Sequence, residues 1–130
     1  MHMTLEADYA VRIVELLTRL GDKTDARTIS ERTQIPQRFC LKILHRLVTD
    51  GIVRSYKGAK GGYQLAKKPE SITLRQVIEA VEGPYRFSRC LDGEYDCSCS
   101  AVMGCPFHTV FDDVTRTVIE KLDAVTFADL

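Results

Sequence analysis

The chain has 130 residues, 45% apolar and 28% charged, the make-up of one ordinary globular domain that can build a core of its own. Its net charge is zero, but residues 1–68 hold 13 Lys+Arg against 7 Asp+Glu, while residues 69–130 hold 5 against 11. A basic front half points to a polyanionic partner, and the short apolar runs exclude a membrane-spanning helix.

The start, "MHMTLEADYAVRIVELL", places Glu6, Asp8 and Glu15 among apolar residues. That is an amphipathic helix and not the basic-then-apolar layout of a signal peptide. The expectation is a cytoplasmic protein, in a compartment where structural disulfides are rare. Leu5, Tyr9, Val11, Ile13, Val14, Leu16, Leu17 and Leu20 recur at helical spacing. Gly21 stops that helix, and Asp22 to Asp25 form a turn. A short helix follows over about 26–33, with Thr28 and Glu31 at capping-box spacing and a start that can lie a turn earlier. After Pro36 the next helix, about 37–50, has Phe39, Cys40, Ile43, Leu44, Leu47 and Val48 on its apolar face. Gly51 ends it.

Two helices meeting across so tight a turn have the helix-turn-helix layout. Ile29, Ile35, Ile43 and Leu47 are placed to fill the angle between them. Gln37, Arg38, Lys42, His45 and Arg46 are left outside the second helix's apolar face, where side chains can reach base edges in a major groove. The plainer alternative is a surface helical hairpin. "GIVRSYKGAKGGYQLA" then reads as a β-hairpin with Gly58, Gly61 and Gly62 at its tip, and it carries Lys57 and Lys60. A basic hairpin directly after a helix-turn-helix is a wing, whose lysines can lie against phosphates or in a narrow minor groove.

Ile72, Leu74, Val77, Ile78 and Val81 describe a further short helix ending near Gly83-Pro84. From about 106 to 123, Phe107, Val110, Phe111, Val114, Val118, Ile119 and Leu122 describe a long amphipathic helix. It exceeds what a small winged domain needs, so it reads as a dimerisation helix, with intramolecular packing as the alternative. The expected fold class is mostly α with a small β-hairpin wing. The expected organisation is a DNA-binding unit over 1–83, a cysteine-rich loop over 84–105, and a dimerisation helix and tail over 106–130.

That loop holds Cys90, Cys97, Cys99 and Cys105, with His108 three residues beyond. Cys40 lies apart, on an apolar helix face, as a small buried hydrophobe. Structural zinc favours two closely spaced ligand pairs, and only Cys105 and His108 fit that spacing. Wide gaps in a loop with Gly93, Ser98, Ser100 and Gly104 suit an iron–sulfur cluster better. A helix start near Pro106 favours a nearby thiolate, while Asp92, Glu94 and Asp96 oppose it. Zinc and an oxidation-sensitive thiol switch remain open on spacing alone.

The stretches "MTLEADYAVRIVELL", "ISERTQIPQRFCLKILHRLVTDGIV", "KGAKGGYQLAKKPESITLRQVIEAVEG" and "RC…C…CPFHTVFDDV" together resemble the Rrf-two family of bacterial winged-helix regulators, which includes IscR, NsrR and RirA. The resemblance spans almost the whole chain. It implies a homodimer on palindromic double-stranded DNA, with binding tuned by an iron–sulfur cluster. It places Cys90, Cys99 and Cys105 as cluster ligands, with Cys97 a possible substitute because the first gap is longer here. The fourth ligand it implies is either Asp8, supplied by the partner subunit, or His108. A four-iron cluster is preferred to a two-iron one, because a long loop with spare thiols can wrap a larger body. On the DNA side it matches Lys57 to a wing arginine that enters the minor groove, and Gln37, Arg38 and Lys42 to groove-facing positions; the wing's Lys60 and the helix's Arg46 complete the basic set. The expected function is a cluster-dependent repressor that senses redox state, nitric oxide or iron. The alternatives are a cluster-free thiol- or metabolite-responsive repressor and, remotely, a zinc-binding enzyme. No nucleophile–base pair or phosphate loop is recognisable, so no catalytic residues are expected.

Overall fold

In the computed structural model, which describes residues 1–95, 97–98 and 104–130, helix α1 (Leu5–Leu20) begins at Thr4. The Thr4 hydroxyl accepts the Ala7 N–H, and Gly21 ends the helix in the left-handed region. Ala7, Ala10, Ile13, Val14, Leu16 and Leu17 are buried. Leu5, which the spacing puts on the apolar face, is 61% exposed. The two alanines take inner positions instead, and α1 packs on α3 and α4 through this face.

Helix α2 (Ala26–Thr33) starts a turn before the Thr28–Glu31 pair. Asp25 is its cap, accepting the Thr28 N–H at 2.9 Å. Gln34 then turns left-handed, at φ 60°. Its amide donates to the Glu31 carbonyl at 2.7 Å, and the Ser30 hydroxyl donates to the Ile35 carbonyl at 2.5 Å. These bonds close the tight turn before α3 (Gln37–Thr49). Ile29, Ile35, Ile43 and Leu47 are all buried in the angle between the two helices.

Strands β1 (Val53–Tyr56) and β2 (Gly62–Leu65) pair antiparallel, with Val53 opposite Leu65 and Tyr56 opposite Gly62. Thr24, from the turn between α1 and α2, adds a third partner: its N–H and carbonyl bond Tyr63 at 2.9 and 2.8 Å. Gly62 makes this approach possible, since a Cβ there would lie 2.8 Å from the Thr24 carbonyl. The wing is therefore fastened to the helical body at Tyr63, one residue pair from its loop.

A 3-10 turn at Pro69–Ser71 leads to α4 (Leu74–Glu82). A reciprocal box starts α4: the Thr73 hydroxyl accepts the Gln76 N–H and the Gln76 side chain accepts the Thr73 N–H. Helix α5 (Pro106–Asp123) has the bounds the periodicity predicts. Arg75 bonds Asp123 at 2.9 Å and ties the end of α5 to α4. The chain then doubles back. Leu74 donates to the Val125 carbonyl and Phe127 to the Ile72 carbonyl, each at 3.0 Å. Phe127 is 1% exposed, in one core with α1, α3 and α4. The tail beyond α5 is thus held on the core of residues 1–83. No helix among the described residues is long and apolar enough to cross a membrane.

Phe127→Ala is expected to lower stability by about 3–5 kcal/mol, the cost of emptying a large buried aromatic site. Leu5→Ala is expected to stay within about 0.5 kcal/mol. Urea denaturation of the reduced protein measures both.

Candidate functional site

Two candidate surfaces lie on this frame, a basic face on α3 and the wing, and the thiol loop. On α3 the buried residues are Cys40, Ile43, Leu44 and Leu47. Gln37, Arg38, Lys42, His45 and Arg46 are all exposed. They do not stand alike. Lys42 Nζ lies 2.6 Å from Glu6 Oε1, which ties α3 to the first turn of α1. The Lys42 hydrogen bond holds the Glu6 carboxyl below its ordinary value. This pair is therefore complete above the carboxylate range and is lost as pH falls through the lowered value. Arg46 donates to the Val81 carbonyl at 2.6 Å, at the end of α4. Lys42 and Arg46 thus brace the helix between α1 and α4.

Gln37 and Arg38 occupy the first turn of α3, where a helix in a major groove meets base edges. The Arg38 guanidinium lies 4.8 Å from the Phe39 ring centre, and that ring lies 6.2 Å from Tyr9 of α1. Leu41, which the sequence reading does not single out, is 44% exposed on the same helix. A leucine outside the apolar periodicity was the available signal. On the wing, Arg54, Lys57 and Lys60 are exposed. Lys23 joins them: its ammonium lies 4.9 Å over the ring of Tyr56 on β1.

The thiol loop has both feet on α5. At its start the Phe87 N–H donates to the buried Thr115 hydroxyl at 3.0 Å, and the Phe87 and Phe111 rings lie 5.3 Å apart. At its end Cys105 is the residue that caps α5, ahead of Pro106. Cys90 lies in a 3-10 turn, Arg89–Leu91, that packs on α5, and its thiol lies 3.3 Å from the Ser88 hydroxyl. Cys90, Cys97 and Cys105 are free thiols of intermediate burial. Cys99 lies outside the described residues. Asp8, on α1, is ion-paired with Arg12 at 2.5 Å, and His108 is exposed in the first turn of α5.

Among the described residues no three His, Cys, Asp or Glu side chains are gathered tightly enough to hold a metal ion. The chemistry of the donor set nonetheless fits a sulfur-ligated cluster: free, half-buried thiols carried on one anchored loop. Cys40 does not belong to the set. It is fully buried, its thiol contacts the Ile35 carbonyl, and burial pushes its pKa up.

Thr115→Val is expected to strand the Phe87 N–H and cost about 1–3 kcal/mol, while Cys90 reacts faster with a thiol reagent. In the native protein the loop thiols should label first and Cys40 only on unfolding. Mass spectrometry of timed alkylation checks both. Equal rates at Cys40 and Cys90 would contradict this geometry.

Residues 3–130 match the Rrf2 family, described as Iron-dependent Transcriptional regulator. The HTH-type transcriptional regulator NsrR of Bacillus subtilis is 28% identical over 133 residues, spanning 100% of this chain and 90% of that protein. The solved structure of T. potens IscR matches with a TM-score of 0.78 at 24% identity, over 99% of this chain and 85% of the other. That of CymR, the global cysteine regulator of B. subtilis, matches with a TM-score of 0.79 at 23% identity, over 99% and 95%. Those two likenesses concern the fold, a winged helix. The chain belongs to the Rrf2 family of DNA-binding transcriptional regulators.

Proposed function

We propose that this regulator is a homodimer that grips palindromic duplex DNA and changes its grip with the state of an iron–sulfur cluster in the thiol loop. The observation that carries the reading is the loop itself, whose free thiols sit on a segment bonded to α5 at Phe87 and continuous with α5 at Cys105. Cys90, Cys99 and Cys105 would hold the cluster, with Cys97 as the alternative to Cys99. Asp8 of the partner subunit or His108 would complete it. Of the two, Asp8 would first have to leave Arg12. A four-iron cluster remains the preferred form. When bound, the cluster supplies a centre that oxygen, nitric oxide or iron loss can alter.

The chain's own residues do the rest. Phe107 and Val110 of α5 are 66% and 57% exposed, an apolar face suited to the same face of a second copy. Gln37 and Arg38 read base edges. Lys57 and Lys60 meet phosphates or the minor groove, with Lys42 and Arg46 holding α3 in place and adding positive charge. One helix-turn-helix covers a half-site, so the angle between two copies sets which palindrome spacing fits. The loop lies between the DNA-binding elements and α5, where a change in its order shifts that angle.

A second reading has one observation in its favour, the fold likeness to CymR, a cysteine regulator by its printed name. In it the thiols respond directly, or to a metabolite, without iron. Replacing Cys90, Cys99 and Cys105 together by alanine separates the two. The cluster reading expects a change in DNA affinity of roughly tenfold between anaerobic and air-exposed wild-type protein, and its loss in this variant; survival of the change in the variant favours the second. Lys57→Ala should reduce the salt dependence of binding by about one unit of slope per subunit. Arg38→Ala should change which sequences are preferred. Equal, purely electrostatic losses from both would contradict the docking.

A further inference from the structure

We infer that Leu41 is a further base-reading residue of this chain, one that takes the 5-methyl group of a thymine in the major groove. The inference rests on the reading of α3 as the helix that enters DNA.

Gln37, Leu41 and His45 are successive neighbours four residues apart, and Arg38 lies three before Leu41. Such residues share one stripe of a helix. All four are exposed. The flank beside this stripe is committed inward, with Lys42 on Glu6 and Arg46 on the Val81 carbonyl. The opposite face, Cys40, Ile43, Leu44 and Leu47, is buried. Leu41 is therefore the apolar centre of a stripe whose other members can all hydrogen-bond. It belongs neither to the core nor to the half-buried residues packed against it, so its exposure is not explained by packing within the chain.

A lone surface leucine is ordinary. A leucine in the middle of a base-reading stripe has a definite chemical consequence. Of the base pairs' major-groove edges, only that of thymine offers a methyl group. Leu41 against that methyl removes two apolar surfaces from water. Leu41 against the amino or keto edge of a G·C pair buries a polar group without a partner. The residue thus favours a thymine at one position of each half-site and disfavours G·C there.

The test starts from a random duplex library. Duplexes retained by the full chain, cluster-loaded under anaerobic conditions and separately iron-free, are amplified and sequenced. In the best-bound duplex each thymine is then replaced in turn by deoxyuridine, which lacks only the methyl. Expected is one thymine per half-site whose replacement weakens wild-type binding by about three- to fivefold, the worth of one buried methyl. Leu41→Ala should bind both duplexes alike at that position, and Leu41→Met should keep the penalty. Because Leu41 is exposed, the alanine variant should retain the wild-type melting temperature and oligomeric state. A flat uracil scan, or an unchanged penalty in Leu41→Ala, overturns the inference while leaving α3 as the reading helix. A Leu41→Ala protein that dissociates into monomers would instead make this residue a contact between copies. If neither form enriches any duplex, the reading of α3 fails and this inference with it.

Discussion

The bond from Arg46 to the Val81 carbonyl is the interaction on which the arrangement of the two surfaces depends. The last carbonyls of a helix have no partner within it and carry partial negative charge. Val81 lies in the last turn of α4, and Arg46 supplies both the donor and the complementary charge, at 2.6 Å. Lys42 and Glu6 brace the other side of α3. The helix that presents Gln37 and Arg38 is thereby fixed to α4, and α4 runs directly through Gly83 and Pro84 into the thiol loop. The exposed face of α3 and the thiol loop thus meet at one helix end.

At its far end the loop meets the same logic. Thr115 is one of two buried polar residues of the described chain, and it earns its place by accepting the Phe87 N–H while donating to the Phe111 carbonyl. It holds the loop's start to the middle of α5, and at the loop's end the chain runs through Cys105 straight into α5. The tail then carries Phe127 back into the core beside Ile72. Helix α5 is joined to the winged body by Arg75–Asp123 and by this tail, while Phe107 and Val110 project from it. In the proposed two-fold assembly, an apolar face held in a fixed relation to α3 would set the half-site spacing.

Much of this was legible in the chain. Helix ends marked by Gly21, Gly51 and Gly83, and the lysine-flanked glycine tip of the wing, specify local conformations that no distant contact overrides. The bounds of α5 follow from its periodicity alone. What stayed hidden depends on partners far along the chain. That Lys42 and Arg46 also bond Glu6 and the Val81 carbonyl was not legible, because those partners lie 36 and 35 residues away. Phe127 lies past the last helix, where nothing local shows that the chain reverses after Asp123 to bury it. The short helix over 26–33 was legible too, and Asp25, three residues before Thr28, is the cap that gives it the earlier start. The thiols are plain in the sequence, but their partners depend on how the loop closes, which local pattern cannot give.

The central claim is that loop thiols bind iron and that this iron alters the grip on DNA. Its most direct test is one titration. The full chain, reconstituted with iron and sulfide without air, is followed by visible absorption and by its affinity for a selected duplex as air is admitted. The account expects sulfide and iron bound in near-equal amounts, a dimeric mass, and a fall in visible absorption that tracks the change in affinity. A colourless protein carrying stoichiometric zinc, or an affinity that stays constant while the colour bleaches, would contradict it.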